Sequence, residues 1–300
     1  MAFLQEEGRS GAAGLLAHLI AAEGLPASYR ATIEAHWRSL AAHIAARAAA
    51  HGGPRIVGIS GAQGSGKSTL CRVLEVLLAE DHGLMAATLS LDDLYLTRAE
   101  RADLAATVHP LFATRGVPGT HDVALGAAVF AAVREGRAGL RLPRFCKAAD
   151  DRAPEAEWPV IAAPIDVLLF EGWCVGATPQ SAAELAETVN RLEAVEDAGG
   201  TWRRYVNDAL DGPYCALFAE IDFLVMLAAP GFAAVHGWRL EQERKLRART
   251  GGGMGDSEIA RFVLHYERLT RRLLADLPGR ADVVVTLDSE RAVTAVRHAS

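Results

Sequence analysis

The sequence predicts an α/β fold, a mainly parallel sheet with helices on both faces, and three observations lead there. Compact apolar runs recur along the chain, they end in carboxylates or in a glycine-rich turn, and stretches of helical spacing accompany them. From Ser28 to about Ala50, Ile33, Trp37, Leu40 and Ile44 recur at helical spacing, and His51-Gly52-Gly53-Pro54 stops that helix. Arg55-Ile56-Val57-Gly58-Ile59-Ser60 reads as a short buried strand, followed by a glycine-rich turn and a helix from Ser68 to Ala79. A second strand is expected at Ala86 to Leu91, ending in Asp92-Asp93, and a third at Ile165 to Phe170, ending in Glu171. Another pair is expected at Phe223 to Ala228 and Val283 to Leu287. Arg239 to Arg249 reads as a helix, and Thr250-Gly251-Gly252-Gly253-Met254-Gly255 as a flexible break before a helix from Asp256. The division that follows is an N-terminal helical extension over residues 1–53 and a main domain over residues 54–300.

The chain has 300 residues, half of them apolar, which is enough to bury a large core. A formal net charge of -6 argues against broad attraction to nucleic acid or an anionic membrane, so neither is expected as a partner. Cys71, Cys146, Cys174 and Cys215 lack CxxC or metal-ligand spacing, which supports neither a disulfide framework nor a zinc site. Met1 to Ser10 carry two glutamates and no basic stretch followed by an apolar one, so no secretory leader is expected. A reducing, cytoplasmic setting is the expectation.

Gly61-Ala62-Gln63-Gly64-Ser65-Gly66-Lys67-Ser68 matches GxxxxGK[ST] in full, between a predicted strand and a predicted helix. This sharpens the fold class to the P-loop NTPase fold and implies a nucleoside triphosphate with Mg²⁺. Glycines let backbone N–H groups approach phosphates, and a helix start favours an anion. Lys67 neutralises the outer phosphates, the Ser68 hydroxyl ligates Mg²⁺, and Thr69 opens the helix beside them. ATPases and GTPases share this loop, so the next carboxylates decide more.

Asp92 follows the second strand, beside the phosphate loop. A kinase acting on an alcohol must accept the proton of the attacking hydroxyl, and a carboxylate here can do so; the alternative is that the Asp92-Asp93 pair caps the next helix, a role open to Asp93 in either case. Glu171 ends the third strand at the Walker-B position, where a carboxylate holds the Mg²⁺ shell; the alternative is a strand-end ion pair.

Together these stretches resemble a known family, the plant-type D-glycerate 3-kinases and their bacterial and fungal P-loop relatives, near phosphoribulokinase, uridine kinase and pantothenate kinase. The resemblance rests on Gly58 to Ser68, Leu89-Ser90-Leu91-Asp92-Asp93-Leu94-Tyr95-Leu96 and Arg115-Gly116-Val117-Pro118-Gly119-Thr120-His121-Asp122. It also rests on Leu142-Pro143-Arg144-Phe145, Phe170-Glu171-Gly172-Trp173-Cys174-Val175-Gly176, and Trp238-Arg239-Leu240 with Met254-Gly255-Asp256. It implies transfer of a phosphoryl group from ATP to D-glycerate, with Asp92 as base and Lys67, Ser68 and Glu171 on Mg·ATP. Tyr95, Arg115, His121, Asp122 and Arg144 would line the acceptor, since a carboxylate wants a guanidinium and hydroxyls want acceptors. Arg115 and Arg144 are alternatively surface arginines, and His121 a buried, satisfied histidine.

In such relatives a basic helix forms a lid, which here would be residues 236–256. At i,i+4 spacing Glu241 faces Lys245 and Glu243 faces Arg247, which leaves Arg239 unclaimed; Arg239 is therefore expected first at the transferring phosphoryl group and Arg247 second. One position departs from the resemblance. Cys146 stands where an acid is expected, so Asp150 or Asp151 is a candidate to supply that charge. The rival readings are a kinase of a nucleoside, a pantothenate-like alcohol or a sugar phosphate, or a regulatory ATPase.

Overall fold

The computed structural model describes residues 11–250 and 253–299, and structural statements concern these residues. The expectations at Met1 to Ser10, Gly251 and Gly252, and for the side chain of Arg249, lie outside them.

The sheet grows from one central strand. β1 (Arg55–Gly61) lies between β3 (Val167–Gly172) and β4 (Phe223–Ala228), parallel to both, and β2 (Ala86–Ser90) is parallel to β3 on the far side. β5 (Val283–Leu287) continues the parallel order beside β4, and β6 (Val293–His298) returns antiparallel at the edge. The order β6-β5-β4-β1-β3-β2 makes a six-stranded sheet. Alternate side chains serve opposite faces, as strand geometry requires. Val57, Ile59, Val167, Leu169, Val225, Leu227, Val283 and Val285 enter one apolar cluster, while Ile56, Leu168, Phe170, Met226 and Val284 enter the other. A sheet buried on both faces explains why the strands read as continuous apolar runs.

The first face is covered by α1 (Ala12–Ala22), by the helical run Tyr29–His51, and by α2 (Lys67–His82). Leu16, Ile33, Trp37, Leu40 and Ile44 join the same cluster as β1, so the N-terminal helices share the core of the sheet. Within the helical run Tyr29–His51, Ile33–Trp37 form a π-helical turn. The second face is covered by α3 (Val123–Arg134) and the long α5 (Asp256–Asp276), through Val129, Phe130, Val133, Tyr266, Leu269 and Leu273. The predicted basic helix is the latter part of a longer one, α4 (Phe232–Thr250).

The segment between β3 and β4 contributes Leu192 and Trp202 to a smaller core, which they share with Phe112 and Val117 from the stretch between β2 and β3. Buried ion pairs tie it down. Arg268 of α5 donates to both oxygens of Glu193, at 2.8 and 2.7 Å, and to the Glu184 carbonyl at 3.0 Å. Glu193 is fully buried, so Arg268→Ala would strand a charge; a loss of about 3 to 5 kcal/mol is expected from chemical denaturation of the variant against wild type.

Candidate active site

Parallel register places the chemistry-bearing residues on one edge of the sheet. Glu171 sits opposite Ile59 on one side and Ser90 on the other, so it stands one residue before the end of β3, with Gly61 and Asp92 close by in their own strands' continuations. The third strand begins and ends two residues later than the sequence predicts, which carries Glu171 inside the ladder. Its carboxylate is buried, and Oε1 accepts from the Ser68 hydroxyl at 3.0 Å.

The phosphate loop has the backbone its sequence requires. Gly64 and Gly66 adopt φ of 78° and 91°, in the left-handed region where other residues are strained. A Cβ on Gly64 would also lie 2.7 Å from Cβ of Trp238. Lys67 is buried, and its ammonium donates to the Ala62 carbonyl at 3.1 Å, folded against its own loop. Ser65 Oγ is buried without a hydrogen-bond partner. A loop with a folded-back ammonium, an unpartnered hydroxyl and glycines at its turns fits a polyphosphate. The Ser68 hydroxyl and Glu171 fit a hard cation such as Mg²⁺, which takes few protein oxygens and completes its shell with phosphate and water. Gly61 and Thr69 flank this cradle in β1 and α2, and Gln63 lies in it, half-exposed.

A residue outside every motif supports the loop. Arg291, at φ 69° in the turn between β5 and β6, donates to the Gly64 carbonyl and to Glu241, each at 2.7 Å. Its guanidinium also lies 5.4 Å from the ring centroid of Trp238, whose indole N–H donates to the Ser289 carbonyl at 2.6 Å. No period or motif in the sequence marks this tie.

A second group of predicted site residues is fastened to the residues after β2. Asp92 accepts from the Tyr95 hydroxyl at 2.7 Å and from the Lys147 ammonium at 2.8 Å. Burial alone would raise the Asp92 pKa, but Lys147 and then Tyr95 outweigh it and hold it down at about 2. Asp93 caps no helix. It accepts from the Phe145 N–H at 3.1 Å and pairs with Arg144 at 3.3 Å, and Ser90 does the capping instead. Phe145–Cys146 and Asp151–Arg152 form a two-stranded ribbon, so Cys146 lies opposite Asp151 with its side chain exposed. Asp150 at the ribbon's turn pairs with Arg115 and with the buried Arg101.

His121 stacks on Tyr95 with ring centroids 4.6 Å apart, and its Nδ1 lies 2.5 Å from the Tyr214 hydroxyl. The same hydroxyl oxygen accepts from the Gly119 N–H at 3.0 Å, and when it donates to Nδ1 the ring proton resides on Nε2. Nε2 is buried without a partner, and burial pushes the His121 pKa down to about 3 against the pull of Asp92. His121 is thus buried yet only half satisfied. Trp173 donates to the Gly116 carbonyl at 2.8 Å and Tyr266 to that of Arg115 at 3.0 Å, which fixes the whole Arg115 to Asp122 segment.

Three expectations need correction. Asp122 uses one oxygen to cap α3 at the Leu125 N–H and the other on Arg152, each near 3 Å, so both are committed to structure. Arg144 and Arg115 are neither free surface groups nor unpaired ligands, being held by Asp93 and Asp150. Arg239 is not unclaimed: Glu243 pairs with it at 2.7 Å rather than with Arg247, because Glu243 turns inward to the Met254 N–H at 2.8 Å. Arg247 pairs with Asp256 at 2.6 Å, while Lys245 and Glu241 pair as expected.

Removing the support of the phosphate loop gives a direct check. Arg291→Ala loses the bonds to the Gly64 carbonyl and to Glu241, and a roughly 3- to 10-fold weaker binding of a nucleoside triphosphate is expected in a titration, with a small fall in melting temperature.

No protein-family model matches the chain. It is 37% identical over 223 residues to mug58, an uncharacterized kinase of Schizosaccharomyces pombe, covering 72% of this chain and 79% of that one. It is 31% identical over 255 residues to the chloroplastic D-glycerate 3-kinase of Arabidopsis thaliana, covering 79% of this chain and 53% of the plant protein. A solved D-glycerate 3-kinase from Cryptococcus neoformans superposes with a TM-score of 0.72 at 26% identity, over 88% of this chain and 99% of that one. With the phosphate loop, the strand-end carboxylates and the parallel sheet already in place, these likenesses assign the chain to the small-molecule P-loop kinases of the glycerate kinase type.

Proposed function

We propose that the chain transfers the γ-phosphoryl group of ATP to the C3 hydroxyl of D-glycerate, giving 3-phospho-D-glycerate and ADP. The observation that supports this reading best is the position of Asp92, at the sheet edge that carries the phosphate loop and under a ribbon that brings Arg144 and Lys147 beside it. The relatives named as D-glycerate 3-kinases support the acceptor.

In this reading the loop amides, Lys67 and the Ser65 hydroxyl hold the outer phosphates, and Ser68 and Glu171 hold Mg²⁺. When bound, Mg²⁺ neutralises phosphate charge and fixes the triphosphate in line. Asp92 accepts the proton of the attacking hydroxyl as the new oxygen–phosphorus bond forms and the bond to the β-phosphate oxygen breaks. Tyr95 keeps Asp92 oriented, and His121 Nε2–H offers a hydrogen bond to a neighbouring hydroxyl of the acceptor. Arg115 and Arg144 each retain unused guanidinium N–H groups for the carboxylate, and Asp122 acts through Arg152 as a support. Arg239 and Arg247 serve as lid cations for the phosphoryl group and nucleotide, exchanging Glu243 and Asp256 for phosphate oxygens.

A second reading, an acceptor other than D-glycerate, is favoured by Cys146 alone, since a thiol replaces the expected acid. An ADP-release assay over alcohols and hydroxy acids, with the product position fixed by NMR, separates the two: D-glycerate phosphorylated at C3 is expected, and a better acceptor elsewhere would replace it. Asp92→Asn is expected to lower kcat by about 10² to 10⁴ with an unchanged melting curve, and near-normal turnover would remove Asp92 as base. Lys67→Ala is expected to lower turnover by orders of magnitude, read in the same assay.

A further inference from the structure

Both oxygens of Asp92 are engaged. Oδ1 accepts from Tyr95 and Oδ2 from Lys147; lone pairs remain on both oxygens, but an ammonium seated on Oδ2 crowds the approach of a hydroxyl and weakens the base that would take its proton. Tyr95 cannot move readily. It is 4% exposed, stacked on His121 and edge-on to Phe145 at 5.2 Å. Lys147 is the reverse case, with a side chain 63% exposed at the turn end of the ribbon and a flexible four-carbon stem. An ion pair so open to water is held weakly and is easily exchanged for another anion.

We propose that Lys147 is an acceptor-specificity residue that blocks Asp92 until the negative group of an anionic alcohol draws its ammonium away. The inference rests on the reading of Asp92 as base. A neutral alcohol offers Lys147 no anion, so the lysine stays on Oδ2 and the base stays blocked. An acceptor with a carboxylate or phosphate near its hydroxyl supplies the exchange, and the same ammonium then grips that anion. Selection for charge is thereby built into the proton-accepting step as well as into binding. With Cys146 beside it in place of an acid, Lys147 is left to pair with Asp92.

Electrostatics point the same way. The groups that act on Asp92 are Lys147 from the ribbon, Tyr95 and Asp93 from its own segment, His121, and Cys174 and Tyr266 from the two elements behind. Of these, Lys147 is the largest influence holding the carboxyl down, against burial that raises it. With Lys147 withdrawn, Asp92 becomes a stronger base.

The test compares glycerate with glycerol as acceptors in the full chain, for wild type, Lys147→Met and Lys147→Arg. Lys147→Met is expected to lower the glycerate-to-glycerol ratio of kcat/KM at least tenfold, with Lys147→Arg retaining most of it. The acid limb of kcat/KM is expected to move to higher pH in Lys147→Met, because the base then protonates more readily. Equal losses on both acceptors with an unmoved acid limb would overturn the proposal and put Lys147 on the transferring phosphoryl group. The acceptor panel keeps the two readings apart. If another anionic alcohol outperforms glycerate, and Lys147→Met shows the same loss of selectivity on it, D-glycerate falls and the Lys147 proposal stands. If a neutral alcohol is the best acceptor, the Lys147 proposal falls while the kinase reading stands; if no alcohol stimulates ADP release, both fall.

Discussion

The parallel pairing of Arg55–Gly61 between Val167–Gly172 and Phe223–Ala228 is the constraint on which the site depends, because register converts distant sequence into neighbouring chemistry. With Ile59 fixed opposite Glu171, and Ser90 opposite the same residue, the glycine-rich loop, Glu171 and Asp92 emerge from adjacent strand ends. A slip of one residue would turn Glu171 to the other face and break the Ser68 contact. Apolar clusters on both faces make such a slip expensive, since every strand would exchange its buried set.

Around that edge the molecule is fastened unevenly. The phosphate side is rigid: Trp238 packs on Gly64, Arg291 holds its carbonyl, and Glu241 holds Arg291. The other side is a short ribbon tied to Asp93, to the Tyr95 carbonyl and, through Asp151, to the Arg98 N–H, with Lys147 largely exposed at its turn. Such a division suits a transfer enzyme, in which one substrate is shared across a fold family and the other differs between members. The basic helix belongs to neither part. Its described cations are paired with acids, so its charge is spoken for until another anion competes.

Buried but incompletely satisfied groups mark where a ligand would be felt. Ser65 Oγ and His121 Nε2 are among the buried atoms without partners, and in the proposed reaction each would gain a hydrogen bond on binding. Other polar burial is structural. Glu193 with Arg268, and Asp197 with Arg203, hold the segment between β3 and β4 far from the loop, and their geometry is closed.

The sequence by itself determined the central strands, the phosphate loop and the strand-end carboxylates, because continuous apolar runs and the GxxxxGK[ST] spacing are local patterns with local physical causes. Ala12–Ala22, the antiparallel strand Val293–His298 and the ribbon Phe145–Cys146 with Asp151–Arg152 escaped that reading. The edge strand is mostly exposed and the ribbon strands are two residues each, so neither leaves a hydrophobic period to detect. Tertiary structure alone decided the partners of charged groups: Arg239 with Glu243, Lys147 with Asp92, Arg291 with Gly64 and Glu241. Spacing along a helix names neighbours, but a long side chain chooses among them by what else is buried nearby, and that is settled only when the elements pack.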